Sequence, residues 1–499
     1  MSSESSESVI NPDGSASAGG NTISTRIPLH IGAVVAYDVG MTTIDTTTTE
    51  LVSINPATNE PAGSVPITPV DAIPVIVERA AIAQKDWAAK TIEERAEILR
   101  PIGPKLLEAA ERVGTILTRE MGKPLAEGIG EVTYAAKGWT TEIDEIVAAL
   151  QPSVLEDDNR RTNLYHDPLG VCGAITPWNF PVLMPHQAIL PALLAGNTVV
   201  LKPSEETPLC AQAYCDVINE SLPPDLLQVI HGDEQQGKAL VQSDVDLIVF
   251  TGSKAAGEHI LGSASNGLKR VILELGGKDP MVVLKDADLD AAVEFGVRNA
   301  FRNAGQVCVS TERIYVDDAI HDEFVERFVA KTSELQQGDG MTEGVNIGPM
   351  ISANQKSLVV DQLNEAVADG AQVVHGGGEG DGNFVPLTIL TGLSHDMRIM
   401  NDETFGPIAC IQKTSSDDEA IKLANDTPYG LGACVFGEVE HATQVARHIE
   451  AGMVGVNSGC GGATGSPWVG AKHSGYGFHS GPLGHRQFCQ VRTVSVPKG

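Results

Sequence analysis

Four short apolar runs between about residues 167 and 272 constrain the fold more than any other feature. Val171 to Thr176 leads into PWNFP, and TVVLKPSE (residues 198–205) runs into a polar loop. LLQVIHG (226–232) and DLIVFTGS (246–253) each break at a glycine. Continuous apolar character over so few residues marks strands buried on both faces. The stretches between them are long enough for helices. This alternation predicts a parallel sheet wound with helices, with ligands outside the carboxyl ends of the strands. Asn179, Lys202 and Ser253 fall at such ends. At 499 residues the chain is too long for one core and should divide into two or three domains.

A second stretch, from LELGGKDP (273–280) to FRNAGQVC (301–308), carries chemistry. Glu274 can act as a general base, and Cys308 can become a thiolate. Between them, Leu289, Val293, Val297 and Ala300 recur at helical spacing. Asn303-Ala304-Gly305 should stop that helix, because Asn and Gly tolerate the left-handed conformation. One helix folded back would bring the two groups together.

Elsewhere the patterns are plainer. Residues 1 to about 25 read as a disordered tail, and Ile27 to Thr49 as an added arm. SINPATNEPAGSVPI (53–67) predicts two short strands about a turn. Helices are expected over Ala72–Ala89, Glu93–Met121 and Leu125–Leu150, with MGKP as a stop. Ser153–Gly170 is polar and extended, and the final QVRTVSVPKG alternates as a strand does. RIYVDD, ETFGPIACI and GMVGVNSG contain further strands, with an amphipathic helix over His321–Glu334. Gly370–Gly382 reads as turns. The glycines of 459–477 imply backbone lying close to something.

Aromatic residues make up only 4 % of a chain that is 42 % hydrophobic, so aliphatic side chains must fill the cores. A formal charge of −31 argues against nucleic acid or an anionic membrane as partner. Eight scattered cysteines without a CxxC pair form neither a disulfide framework nor a zinc site, so no metal and a reducing, cytoplasmic setting are expected. No signal peptide is expected, since Arg26 is the first cation. The longest apolar run, 180–201, holds three prolines, His186 and Asn197 and does not read as membrane-spanning.

ELGGK and GQVC, together with PWNFP, KPSE, FTGS and ETFGP, closely resemble the aldehyde dehydrogenase superfamily in motif and in order, over roughly residues 50 to 495. The resemblance implies an α/β protein with a Rossmann-like NAD-binding domain (50–150 and 169–274) and an α/β catalytic domain (275–480). A small β oligomerisation domain (151–168 and 486–499) would serve a homodimer or homotetramer, with 1–49 as tail and arm. It also implies oxidation of a small-molecule aldehyde through a cysteine thiohemiacetal and thioester. Cys308 would be the nucleophile, Glu274 the base for hydrolysis, and Asn179 with the Cys308 N–H the oxyanion donors. Lys202, Ser204 and Glu205 of KPSE would meet the adenosine ribose, with Trp178 alongside. Gly252, Ser253 and Gly257 would meet the pyrophosphate, Glu403 and Phe405 the nicotinamide end. Thr176, Pro177 and Leu275 complete the cofactor set. A carboxylate at Glu205 favours NAD, with NADP as a second acceptable cofactor.

Three departures bear on substrate. Gln187 stands where many succinic semialdehyde enzymes carry a carboxylate-binding arginine, leaving Arg302 as an anchor. Ser310 replaces the second cysteine of CVC-type redox switches. Gly461 and Gly462 stand where bulk is common, which predicts a wide mouth for a bulky or polar aldehyde, a semialdehyde among them. The rivals are a coenzyme A-acylating semialdehyde dehydrogenase, which Glu274 disfavours, and a non-catalytic structural or binding member, which the intact Cys308, Glu274 and Asn179 disfavour.

Overall fold

The computed structural model describes residues 49–498. The tail and arm expected over 1–49 lie outside the described residues, save Thr49. The described chain opens with an antiparallel hairpin, β1 (Glu50–Asn55) and β2 (Glu60–Pro66), turned by Asn59 in the left-handed region. Five helices follow: α1 (Ile73–Ala88), α2 (Ile92–Leu99), α3 (Ile102–Glu108), α4 (Ala110–Met121) and α5 (Leu125–Leu150). The single helix expected over Glu93–Met121 is therefore three. Pro101 lacks an N–H and crowds the preceding turn, which ends α2. Ala109, at φ −85° and ψ −4°, separates α3 from α4. Gly122 closes α4 at φ +90°, the stop that MGKP predicts.

The next strands are β3 (Ser153–Glu156), β4 (Arg160–Pro168) and β5 (Val171–Ile175). Helices and strands then alternate: α6 (Leu183–Leu194), β6 (Thr198–Lys202), α7 (Pro208–Asn219), β7 (Leu227–Val229), α8 (Glu234–Gln242), β8 (Leu247–Thr251), α9 (Lys254–Ala264) and β9 (Arg270–Glu274). A second region holds β10 (Asp279–Val283), α10 (Leu289–Phe301), β11 (Thr311–Asp317), α11 (His321–Thr332), α12 (Ala353–Ala368), β12 (Gln372–His375), β13 (Thr388–Thr391), β14 (Ile408–Thr414), β15 (Gly432–Phe436) and β16 (Met453–Val456). The chain returns through β17 (Gly475–Tyr476) and ends in β18 (Cys489–Pro497). Gly370–Gly382, expected as turns throughout, contains β12, which pairs antiparallel with β13.

The first sheet has the order β17-β9-β8-β5-β6-β7 and is parallel except at β17. Alternate side chains feed two cores. Val199 and Leu201 pack toward α2–α7, and Val200 toward α1, α8 and α9, as the two-residue strand period requires. The chain leaves β5 for β6 and β7, then crosses back to β8, so the connections diverge between β5 and β8. A crevice opens there at the carboxyl ends. The second sheet, β12-β13-β14-β11-β10-β15-β16, surrounds the third core and is parallel except at β12. A three-stranded antiparallel sheet, β18-β4-β3, carries the extended segment 153–168 and the C-terminal strand. Among the described residues no helix is long and apolar enough to cross a membrane.

The α10 helix links the two chemical ends of the central stretch. Asp288 caps it by accepting from Ala291 N at 3.1 Å, and its inner face buries Val293, Phe295, Val297, Ala300 and Phe301. Asn303, Ala304 and Gly305 then stand at φ +54°, +56° and +72°, the expected stop. Asp288→Ala should lower stability by about 1 kcal/mol, the worth of one N-cap. A urea titration in which the variant matches the parent would refute that role for the cap.

Candidate active site

The site follows from where the two large sheets meet. β9 ends at Glu274, on the carboxyl edge of the first sheet. Five residues later, at Asp279, the chain becomes β10, entering the second sheet at its amino edge. Asp279 there pairs with Thr311 of β11, so Cys308, three residues before Thr311, lies at that same edge. A Cβ on Gly277 would stand 2.9 Å from the Cys308 carbonyl oxygen, and one on Gly276 would collide with the Glu403 carboxylate. Only glycine lets the connector pass between them.

Glu274 is 3 % exposed, and neither carboxylate oxygen has a hydrogen-bond partner. Burial pushes its carboxyl well above the usual range, because the charged form loses its solvation there. Cys308 is half-buried. Burial raises its thiol, and the nearby Asp279, Cys460, Glu403 and Glu274 raise it further. Asn179 donates through Nδ2 to the Gln306 carbonyl at 3.1 Å, which fixes its amide two residues before Cys308. The second hydrogen on Nδ2 remains to be given.

A buried ion pair holds Asn179 in place. Lys123 Nζ donates to Glu131 Oε2 at 2.7 Å and to the Asn179 carbonyl at 2.8 Å. Glu131 Oε1 accepts from the N–H groups of Val182 and Leu183 at the start of α6, at 3.0 and 3.1 Å. Asn303 Nδ2 donates to the same Asn179 carbonyl at 3.3 Å. Sequence reasoning took Lys123 and Asn303 only as parts of helix stops and did not single out Glu131. One local signal existed: Glu131 shares the inner face of α5 with Gly128, Val132 and Ala135, an odd place for a carboxylate.

The remaining predicted residues line the carboxyl edge of the first sheet. Thr176 follows β5, donates its N–H to the Lys202 carbonyl at 3.1 Å, and leaves its buried Oγ1 without a partner. Lys202 ends β6 and pairs with Glu205 at 2.8 Å, while the Ser204 hydroxyl accepts from Glu206 N at 3.3 Å. Gly252 follows β8, and Ser253 caps α9 by accepting from Ala256 N at 3.3 Å. A Cβ on Gly257 would stand 2.6 Å from the Leu275 side chain, so glycine brings α9 close to the sheet. Pro177 and Trp178 lead from β5 toward the second region, where the Trp178 and Phe405 rings meet edge to face at 5.5 Å. Glu403 accepts from Gly277 N at 3.2 Å. Its carboxyl is pushed up to about 8 by burial first and by Glu312 second.

These groups suit a dinucleotide: an orphaned hydroxyl and a helix N-terminus at the crevice, a lysine–carboxylate pair to one side, and paired aromatic rings to the other. Gln187 makes no contact that ties it to the thiol. Arg302 lies over Phe180 at 5.5 Å and pairs with Glu127 at 3.3 Å on the exposed side. Among the described residues no group of three or more His, Cys, Asp or Glu is placed to hold a metal ion.

Lys123→Met strands the buried Glu131 carboxylate and should cost about 3–5 kcal/mol of stability together with most turnover. Adding Glu131→Gln should restore stability but not turnover, because the Asn179 carbonyl keeps only the longer Asn303 bond and has lost its lysine donor. Full turnover in the double variant would show that the pair acts on stability alone. Known proteins share this sequence pattern and this fold. The Aldehyde dehydrogenase family profile matches residues 43–494. A probable succinate-semialdehyde dehydrogenase [NADP(+)] of Sinorhizobium fredii is 38 % identical, covering 89 % of this chain and 92 % of that protein. The crystal structure of an aldehyde dehydrogenase from Brucella melitensis biovar abortus superposes with a TM-score of 0.87 at 36 % identity, over 91 % of this chain and 96 % of that one. A betaine aldehyde dehydrogenase of Staphylococcus aureus, solved in complex with NAD+, gives 0.85 at 29 % identity, over 89 % and 91 %. A match across nearly the whole described chain, in sequence and in fold, makes this protein a member of the aldehyde dehydrogenase family.

Proposed function

We propose that the chain oxidises an aldehyde to the carboxylic acid with NAD, through Cys308. The thiolate adds to the carbonyl carbon, and the oxygen becomes an oxyanion that accepts from Asn179 Nδ2 and the Cys308 N–H. Glu403 and Phe405 would hold a nicotinamide, which would supply the hydride acceptor. The acyl group remains on sulfur as a thioester. Glu274 takes a proton from water, the resulting hydroxide displaces the thiol, and the acid leaves. The observation that carries this reading is Glu274 itself: a buried, unpartnered carboxyl beside the Cys308 thiol. Stability alone would not place it there. A base for water also weighs against acyl transfer to coenzyme A.

NAD is favoured over NADP by Glu205, whose carboxylate at the end of β6 suits ribose hydroxyls and repels a 2′-phosphate. The named relatives span both cofactors. For the aldehyde, the exposed Arg302 lies over the ring of Phe180, the residue after Asn179, and Gly461 faces open space. This combination suits a polar or bulky aldehyde, with a distal carboxylate as the group Arg302 would meet. The six-stranded sheet would be the core of the cofactor domain and the seven-stranded sheet that of the catalytic domain. Val154, Leu155, Val491, Val494 and Val496 are exposed on the three-stranded sheet and suit pairing with a second copy in a dimer or tetramer. Eight free cysteines favour a reducing cytoplasm.

Purified protein with NAD and an aldehyde panel should produce NADH absorbance, and Cys308→Ala should abolish it. Arg302→Ala should raise KM roughly tenfold for carboxylate-bearing aldehydes and little for neutral ones. An equal effect on both would discard the anchor. The Glu274 carboxyl and the Cys308 thiol are both raised by burial, so the base and the thiolate accumulate only as pH climbs, and turnover should rise with pH. Glu274→Gln should stall after one burst of NADH. Steady turnover in that variant would assign hydrolysis to another base.

A further inference from the structure

Glu312, on β11, is 3 % exposed and has its carboxylate fully engaged. Oε2 accepts from Lys278 Nζ at 2.6 Å and from Thr404 N at 2.8 Å, and Oε1 accepts from Phe405 N at 2.8 Å. Lys278, equally buried, also donates to Thr404 Oγ1 at 2.8 Å. That hydroxyl donates to Gln362 Oε1 at 2.9 Å, and Gln362 Nε2 donates to the Glu403 carbonyl at 3.1 Å. Gln355 Nε2 closes the turn on the Phe405 carbonyl at 3.2 Å. Phe405 itself sits at φ +50°, a conformation that a bulky residue adopts only when its surroundings impose it.

We infer that Glu312, with Lys278, is a positioning pair for the nicotinamide end of the cofactor: it clamps the turn that presents Glu403 and Phe405. The inference rests on the proposed role of those two residues. Glu312 lies behind the turn and acts only through it. Two apolar side chains could fill the same space at similar stability. They could not accept two successive backbone N–H groups, and without those acceptors the left-handed turn keeps only the two glutamine bonds to its carbonyls. The pair is thus built to fix a geometry.

The test compares wild type, Glu312→Gln and Lys278→Met/Glu312→Gln as full-length protein. Thermal midpoint, NADH affinity by fluorescence, kcat, and KM for dinucleotide and for aldehyde are measured separately. Glutamine keeps one acceptor and loses the rest, so KM for dinucleotide and the NADH Kd should rise roughly tenfold or more, the worth of a hydrogen bond to a charged group. KM for aldehyde should stay near the wild-type value. The double variant buries no unpaired charge, so it should regain the midpoint while keeping the cofactor defect. It also carries the test if Glu312→Gln alone does not fold. Wild-type dinucleotide KM and Kd in a folded double variant would overturn the inference and leave the proposed activity standing. A wild type that turns over with neither NAD nor NADP would overturn the proposed activity first.

Discussion

The crossing from Glu274 to Asp279 is the constraint on which the site depends. Six residues carry the chain from the carboxyl edge of one sheet to the amino edge of another, and they do so against the carbonyl of Cys308 and the carboxylate of Glu403. Because the two sheets share this connector, the placement of Glu274 and Cys308 is set by strand register. Loop chemistry alone would not fix them. The sheets are stiff, and each is covered on both faces by its own core. The chemistry therefore rests on backbone hydrogen bonding more than on any one side chain.

Two buried ion pairs refine what register leaves loose. Lys123 with Glu131 fixes the Asn179 carbonyl and the start of α6. Lys278 with Glu312 fixes the turn at Thr404 and Phe405. In both, the carboxylate accepts from two successive backbone N–H groups while the lysine holds the carboxylate in place. Buried pairs contribute little net stability against well-packed apolar substitutes. Their value here is directional.

Much of this was legible locally. The strands of the first sheet announce themselves as apolar runs because both faces are covered, and Asn303-Ala304-Gly305 announces the reversal that aims Cys308. The motif residues could be numbered because their spacing is local. The supporting lysines and carboxylates could not be read in the same way. Lys123 meets a carbonyl 56 residues away, and Lys278 a hydroxyl 126 residues away. Nothing in the neighbouring sequence says that such a charge is inside. The break at Ala109 was equally silent, since alanine is the strongest helix former and only packing ends the helix there. β12 hides in a glycine-rich run because its partner, β13, supplies the pairing that its own composition does not.

One feature of the first sheet bears on how the protein is made. Glu274 ends a strand whose outer neighbour is Gly475, and β4 is completed by the last strand of the chain. A ribosome that has delivered residues 49–274 has delivered every strand of the first sheet except the one that covers Glu274. Nascent chain of that length leaves the β9 edge bare until some two hundred further residues emerge. The interval between is when this protein most needs protection from pairing with the wrong strand.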